Sequence, residues 1–214
     1  MVQTVQAQNI DMRYVIDHFG IRFNRDENFF REWQENLPEI TDSQKQYLDQ
    51  VREGYFNLLE HPPLLEGVVK MAILDPILFI GGFFLSPFYI RSEQPIDIAL
   101  EDQDVVVRGR IDSLVLQEQL WLMVIESKKF AFSTEEGLAQ LLVYMLANPN
   151  PEQPTYGMVT TGGSFLFVKL LKTETPQYTT SRLFGTRNIG DLYEVLRILR
   201  KLTAVVRSNE NHTL

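Results

Sequence analysis

Residues 105–128, VVVRGRIDSLVLQEQLWLMVIESK, decide the fold. Two strand-length apolar runs flank the polar QEQ at 117–119, which reads as a β-hairpin. The second run, LWLMVI, is apolar at successive rather than alternate positions, the pattern of a strand covered on both faces. Alternation puts Trp121, Met123, Ile125 and Ser127 on one face and Leu122, Val124, Glu126 and Lys128 on the other. Glu126 and Lys128 therefore share a face, about 6–7 Å apart along the strand, where it emerges from the core. On the preceding strand Arg108, Arg110 and Asp112 alternate onto one face. Closing the hairpin brings Asp112 to the same end as Glu126 and Lys128.

Two carboxylates and an amine converging at a strand end have a definite chemical use. Carboxylate oxygens hold a hard divalent cation such as Mg²⁺ together with water. Such a cation polarises a phosphoryl oxygen and lowers the pKa of a bound water, and a lysine positions that water or stabilises charge on phosphate. The plain alternative is an exposed Glu–Lys ion pair, with Lys128 a surface residue that contributes little to folding.

Outward from this hairpin the pattern is mixed. Upstream, MRYVIDHF and DENFFREWQENL within residues 9–37 read as two amphipathic helices, with Gly20 ending the first. Thr41 or Asp42 caps a longer helix whose Tyr47, Val51, Tyr55 and Leu58 recur at helical spacing, and His61-Pro62-Pro63 ends it. A further helix from about Leu64 is broken or kinked by Pro76 and stopped by Gly81-Gly82. FFLSPFYIR (83–91) and IDIALED (96–102) read as strands. Downstream, Ser133 and Glu136 have capping-box spacing for a helix that reaches Asn148. TYGMVTT and SFLFVKLLK form a hairpin around Gly162-Gly163, QYTTSRLF is a further strand, and a last helix carries Leu192, Val195, Leu196, Leu199 and Leu202 on one face. Helices, strands, a helix, strands and a helix in that order predict an α/β fold, a mixed central sheet flanked by helices. The expected organisation is an N-terminal helical extension over 1–60 and one α/β domain over 61–214, packed as a single unit.

Composition bounds the function. The chain has 214 residues, 44% of them hydrophobic and 22% charged, the profile of a globular domain. It contains no cysteine, so disulfides and thiolate metal sites are excluded and a cytoplasmic location is expected. The longest apolar stretch, AILDPILFIGGFFL, is broken by Asp75 and Pro76 and is too short to span a bilayer; no membrane association is expected. His18, His61 and His212 make no zinc-binding pattern. The net charge of −8 works against phosphate binding by the molecule as a whole, so contact with nucleic acid requires a local basic groove. Arg108, Arg110, Lys129 and Lys169 are the candidates. Arg197, Arg200, Lys201 and Arg207 on the last helix read as a solvated face or as charge favourable to a helix end.

Asp112, a short hairpin, and a buried strand ending in Glu126-Ser127-Lys128 resemble the PD-(D/E)xK nuclease superfamily. The following helix carries Gln140 and Tyr144 at i and i+4, which looks like the extra motif of its exonuclease and type I restriction branch. LLEGVVKMAILDPIL (64–78) and TTGGSFLFVKL (160–170) are similar to the amino-terminal nuclease domain of the type I restriction enzyme R subunit. The resemblance spans roughly residues 60–172. It implies a restriction-endonuclease-like fold and Mg²⁺-dependent hydrolysis of DNA phosphodiester bonds, with Mn²⁺ able to substitute. It also implies Asp112 and Glu126 as metal ligands, Glu66 as a third (with Glu60 a nearby rival), Lys128 as the catalytic lysine, and Gln140 and Tyr144 as supports or DNA contacts. DNA and partner subunits of a restriction-type system are the implied partners. Ile111 stands where the motif name expects proline. No Gly-rich phosphate loop ending in Lys-Ser/Thr accompanies the motifs, so the implied protein is a nuclease-like domain without an ATP-driven motor. A nuclease fold that binds nucleic acid or protein without cutting is the alternative.

Overall fold

In the computed structural model the run Leu120–Ser127 is a central strand, covered by helices on both faces and buried from Leu122 to Ser127. The structure describes residues 3–63, 65–100, 105–117, 120–128 and 134–210. The strands are β1 (Gln3–Gln6), β2 (Arg22–Phe23), β3 (Tyr89–Leu100), β4 (Val105–Gln117), β5 (Leu120–Ser127), β6 (Thr155–Thr160), β7 (Ser164–Leu171), β8 (Gln177–Thr180) and β9 (Phe184–Gly185). The helices are α1 (Met12–Phe19), α2 (Asp42–Leu59), α3 (Glu66–Val69), α4 (Asp75–Gly81), α5 (Thr134–Leu146) and α6 (Asp191–Glu210). The fold is α/β, a mixed sheet of parallel and antiparallel strands in the order β1-β4-β5-β6-β7-β8-β2, with β3 paired to β4 and β9 to β7.

Two apolar layers hold the sheet. On one side α2, α4 and α6 pack on Met123, Ile125, Met158, Phe165 and Phe167. On the other, α1 and α5 pack on Val107, Ile111, Val124, Val159 and Val168. From Gly137 to Leu146 helix α5 is buried at every position, so its polar Gln140 is placed inside the protein and not on its surface. The first sixty residues contribute two strands to the sheet: β1 pairs parallel with β4, and β2 parallel with β8.

The hairpin of β4 and β5 forms as its sequence predicts, with one irregularity. Register slips between Val115/Met123 and Leu116/Trp121, which leaves Leu122 as an extra residue on β5. The bulge reverses the alternation: Leu122 joins the α2/α4/α6 layer with Met123, and Trp121 packs on the opposite layer. The sharing of a face by Val124, Glu126 and Lys128 lies beyond the bulge and is unaffected.

Other expectations are corrected. Residues 26–37 form turns rather than a second amphipathic helix. Asn24 and Asp26 side chains accept from the Asp26 and Asn28 amides, offering the backbone local partners that compete with a helix. Lys169 and Arg197 then take the Phe29, Leu37 and Pro38 carbonyls. Residues 83–88 are not a strand, and β3 runs unbroken from Tyr89, so two expected strands are one. On α2 the buried ridge is Leu48, Val51 and Tyr55, with Tyr47 exposed. Just before Pro76 the helix widens: Lys70–Leu74 is a π turn in which the Asp75 amide reaches back to the Lys70 carbonyl. Pro76 then stands in the first turn of α4, where its missing N–H is best tolerated. The Ser133–Glu136 capping pair reaches outside the described residues.

Thr41 and Gln44 make a full capping box at the start of α2. Thr41→Ala is expected to cost about 1 kcal/mol and to lower the thermal midpoint by ~2–4 °C, measured by circular dichroism.

Candidate active site

The site lies where β4 changes partner. Along one edge β4 pairs with β3. Along its other edge β1 takes Val105–Arg108 and β5 takes Ser113–Gln117, leaving residues 109–112 between them. β1 runs parallel to β4 and β5 antiparallel, so the carboxyl ends of β1 and β5 point at each other across this fork. Ligands of open α/β sheets collect at such carboxyl-end crevices. The β3–β4 ladder skips the pair Glu93/Asp112, and Glu93 sits at φ 54°, a left-handed conformation uncommon outside glycine. A cleft of about 570 Å³ opens at the fork; its lining includes Gln6, Gln8, Glu66, Arg110, Asp112, Glu126, Lys128 and Gln140, together with Glu93, Asp97 and Arg108.

Glu126 forms the floor. It is 1% exposed because the strand it ends is covered on both faces. Its Oε1 accepts from Lys128 Nζ at 2.6 Å, while Oε2 is buried and has no hydrogen-bond partner among the described residues. Burial, then the negative charge of Asp112, push its carboxyl up to about 8 against the pull of Lys128, with Glu66 adding to the rise.

Lys128 is not a surface residue: its side chain is 17% exposed and is held on two sides. The second hold is Gln140 Oε1, at 2.6 Å. An ammonium only donates, so Gln140 must turn its oxygen to Lys128 and its nitrogen away. That nitrogen donates to the Tyr144 hydroxyl at 2.6 Å. Tyr144 also receives a backbone hydrogen bond at Arg110, and burial raises its pKa. A chain of contacts thus links Glu126, Lys128, Gln140, Tyr144 and the open segment of β4.

Asp112 lies on the same cleft. Its Oδ2 accepts from the Ser127 amide at 2.7 Å and from Ser127 Oγ at 2.9 Å, tying β4 to the end of β5. Lys70, from the π turn, donates to the Asp112 carbonyl at 3.2 Å. Glu66, at the start of α3, reaches the same cleft from the opposite layer; Glu60 is exposed at the end of α2 and does not line it.

The structure therefore brings Glu66, Asp112, Glu126, Lys128 and Gln140 to one cleft, with Tyr144 behind it. Arg110 lines the cleft; Arg108 does too, but is engaged with Asp97 at 3.2 Å. Lys129 lies outside the described residues. Lys169 is elsewhere, bonded to Glu32 at 2.5 Å on the far layer. Arg197 and Arg200 are not a solvated face: they bind backbone carbonyls of residues 37, 38 and 80, and Arg207 lies over Phe88. Sequence reasoning passed over Ser127, Lys70, Gly109 and the N-terminal strand. Gly109 alone had a visible signal, a glycine inside a strand, which marks close approach of another group. A Cβ there would lie 2.6 Å from Tyr144 Cε1 and 2.8 Å from Ala7 Cβ.

No family model matches this chain, and no curated protein matches it.

Among the described residues no three acidic or imidazole side chains are gathered tightly enough to hold a metal by themselves. Mg²⁺ asks for less, one or two carboxylates with the rest of its shell from water and substrate. The unpartnered Glu126 oxygen, with Asp112 and Glu66 on the same cleft, fits that demand.

Because Glu126 keeps its proton to about 8 when folded and loses it near 4.5 when unfolded, stability falls as pH rises through that window and is flat above it. Urea midpoints between these limits are expected to decline for the wild type, and Glu126→Gln removes that component of the slope. Gly109→Ala is expected to cost about 1–3 kcal/mol through overpacking against Tyr144 and Ala7, read by chemical denaturation.

Proposed function

We propose that this chain is a divalent-cation-dependent nuclease of the restriction-endonuclease-like kind. The observation that carries the reading is the buried Oε2 of Glu126, unpartnered among the described residues, in a side chain that lines a cleft shared with Asp112 and is flanked by a lysine that a glutamine holds in place. A buried carboxylate oxygen without a partner is costly and wants a ligand. The cleft lining is richer in acids than in bases, which favours a cation.

On this reading Glu126 Oε2 and Asp112 hold Mg²⁺ or Mn²⁺, with Glu66 close by. The cation, when bound, polarises the scissile phosphate and acidifies an attacking water. Ser127 fixes the Asp112 carboxylate. Gln140, turned by Tyr144, fixes Lys128, whose ammonium aligns the water and offsets charge developing on phosphate. Arg110 meets the phosphate backbone at the mouth of the cleft. DNA is the substrate proposed, and assembly with subunits of a restriction-type system is a further element of the same reading.

A second reading, a nuclease fold that binds without cutting, has one observation in its favour: Asp112 Oδ2 already accepts both Ser127 donors. One experiment separates the two. Wild-type protein is expected to cleave single- or double-stranded DNA with Mg²⁺ or Mn²⁺ but not with chelator present. Asp112→Asn, Glu126→Gln and Lys128→Ala are each expected to lose about 100-fold or more in rate. Metal-dependent binding without cleavage leaves the second reading; neither cleavage nor binding overturns both.

A further inference from the structure

We propose that the N-terminal strand is the second jaw of this cleft, and that the carboxamides of Gln6 and Gln8 contact the nucleic-acid strand held there; the inference rests on the nuclease reading. β1 ends at Gln6, opposite Arg108, where β4 becomes open. The chain then makes a single 3-10 turn over Ala7–Asn9, closed by the Ile10 amide on the Ala7 carbonyl at 3.2 Å. Ala7 and Ile10 are buried against β4 and α5. Ala7 sits so close to Gly109 that no side chain fits between them. These two anchors fix the residues on either side of Ala7. Gln6 and Gln8 are exposed and line the cleft across from Glu66, facing the end of β5 that carries Glu126 and Lys128.

The chemistry of a carboxamide suits that place. The cleft already carries Glu66, Glu93, Asp97, Asp112 and Glu126. A lysine or arginine on this jaw would pair with one of them, as Arg108 does with Asp97. A glutamine instead offers N–H donors to phosphate oxygens, and a donor and acceptor together to base edges, without neutralising a carboxylate. Contacts of this kind add affinity but displace no counterions, so they leave the salt dependence of binding alone. A charged contact such as Arg110, on the same cleft, displaces a counterion and does change it.

The test uses the full chain with Ca²⁺ in place of Mg²⁺ and a short fluorescein-labelled single-stranded DNA, read by anisotropy over a salt series. Q6A/Q8A is expected to raise Kd about tenfold with an unchanged salt slope and an unchanged thermal midpoint. Arg110→Ala is expected to make the slope shallower by about 0.7. Gln8→Glu, which keeps the shape and replaces the amide by a carboxylate, is expected to weaken binding further. Should wild type bind and the glutamine variants bind equally well, the inference falls and the nuclease reading stands. Should wild type bind neither this strand nor a duplex, both fall.

Discussion

A carboxylate buried at the end of a doubly covered strand is the constraint around which this end of the molecule is arranged. Glu126 is shielded from solvent on most sides because β5 lies between two apolar layers, and it meets the cleft only at the strand's end. Burying an ionised carboxylate costs several kcal/mol unless other groups compensate. Compensation here is partial: Lys128 satisfies one oxygen, and the other has no partner among the described residues. Lys128 must in turn be held, which fixes Gln140 through its oxygen and Tyr144 through the glutamine nitrogen. Tyr144 reaches the backbone of β4 only because residue 109 is glycine.

The fork that exposes this floor follows from strand pairing. β4 is thirteen residues long, and neither β1 nor β5 matches its length, so each takes one end of its edge. The unmatched middle is a gap in the ladder whose backbone groups need other partners. Lys70 at the Asp112 carbonyl and the backbone contact between Arg110 and Tyr144 supply two. Asp112 belongs to the same logic: tied to Ser127 on its carboxylate and to Lys70 on its carbonyl, it binds the two strands and the π turn into one wall. Glu66, a turn before Lys70, is carried to the cleft by the helix that this turn interrupts.

Period and punctuation made most of the architecture legible. The apolar run of β5 announced a central strand, Gly20 and Thr41 marked helix ends with the geometry their chemistry requires, and Gly162-Gly163 marked a hairpin. The segment 26–37 misled because its apolar spacing suits a helix, while its Asn and Asp side chains bond locally and distant cations claim its carbonyls. Trp121 and Leu122 exchanged faces because a bulge has no sequence mark in so uniformly apolar a run. Around the site, Glu126, Lys128 and Asp112 were readable as a constellation, since one hairpin joins them. β1 was not, because four residues with no apolar alternation say nothing of a parallel partner a hundred residues away. Lys128 looked exposed only while α5, and Gln140 with it, was unplaced.

Charge ties the two halves of the functional reading together. A chain of net charge −8 gives a polyanion no general attraction, and the cleft is itself richer in acids than in bases. On the nuclease reading, the cleft accepts a phosphate backbone only once its own carboxylates are neutralised. Affinity for the strand and affinity for a divalent cation are then two sides of one linkage, each raising the other by the same factor. Uncharged carboxamides on the β1 jaw and Arg110, which has no ion pair among the described residues, are consistent with that arrangement: they orient a strand without competing for the carboxylates that must first be satisfied. A strongly basic cleft would bind nucleic acid more tightly, but it would also pair internally with Glu126 and Asp112 and close the floor that the fold leaves open.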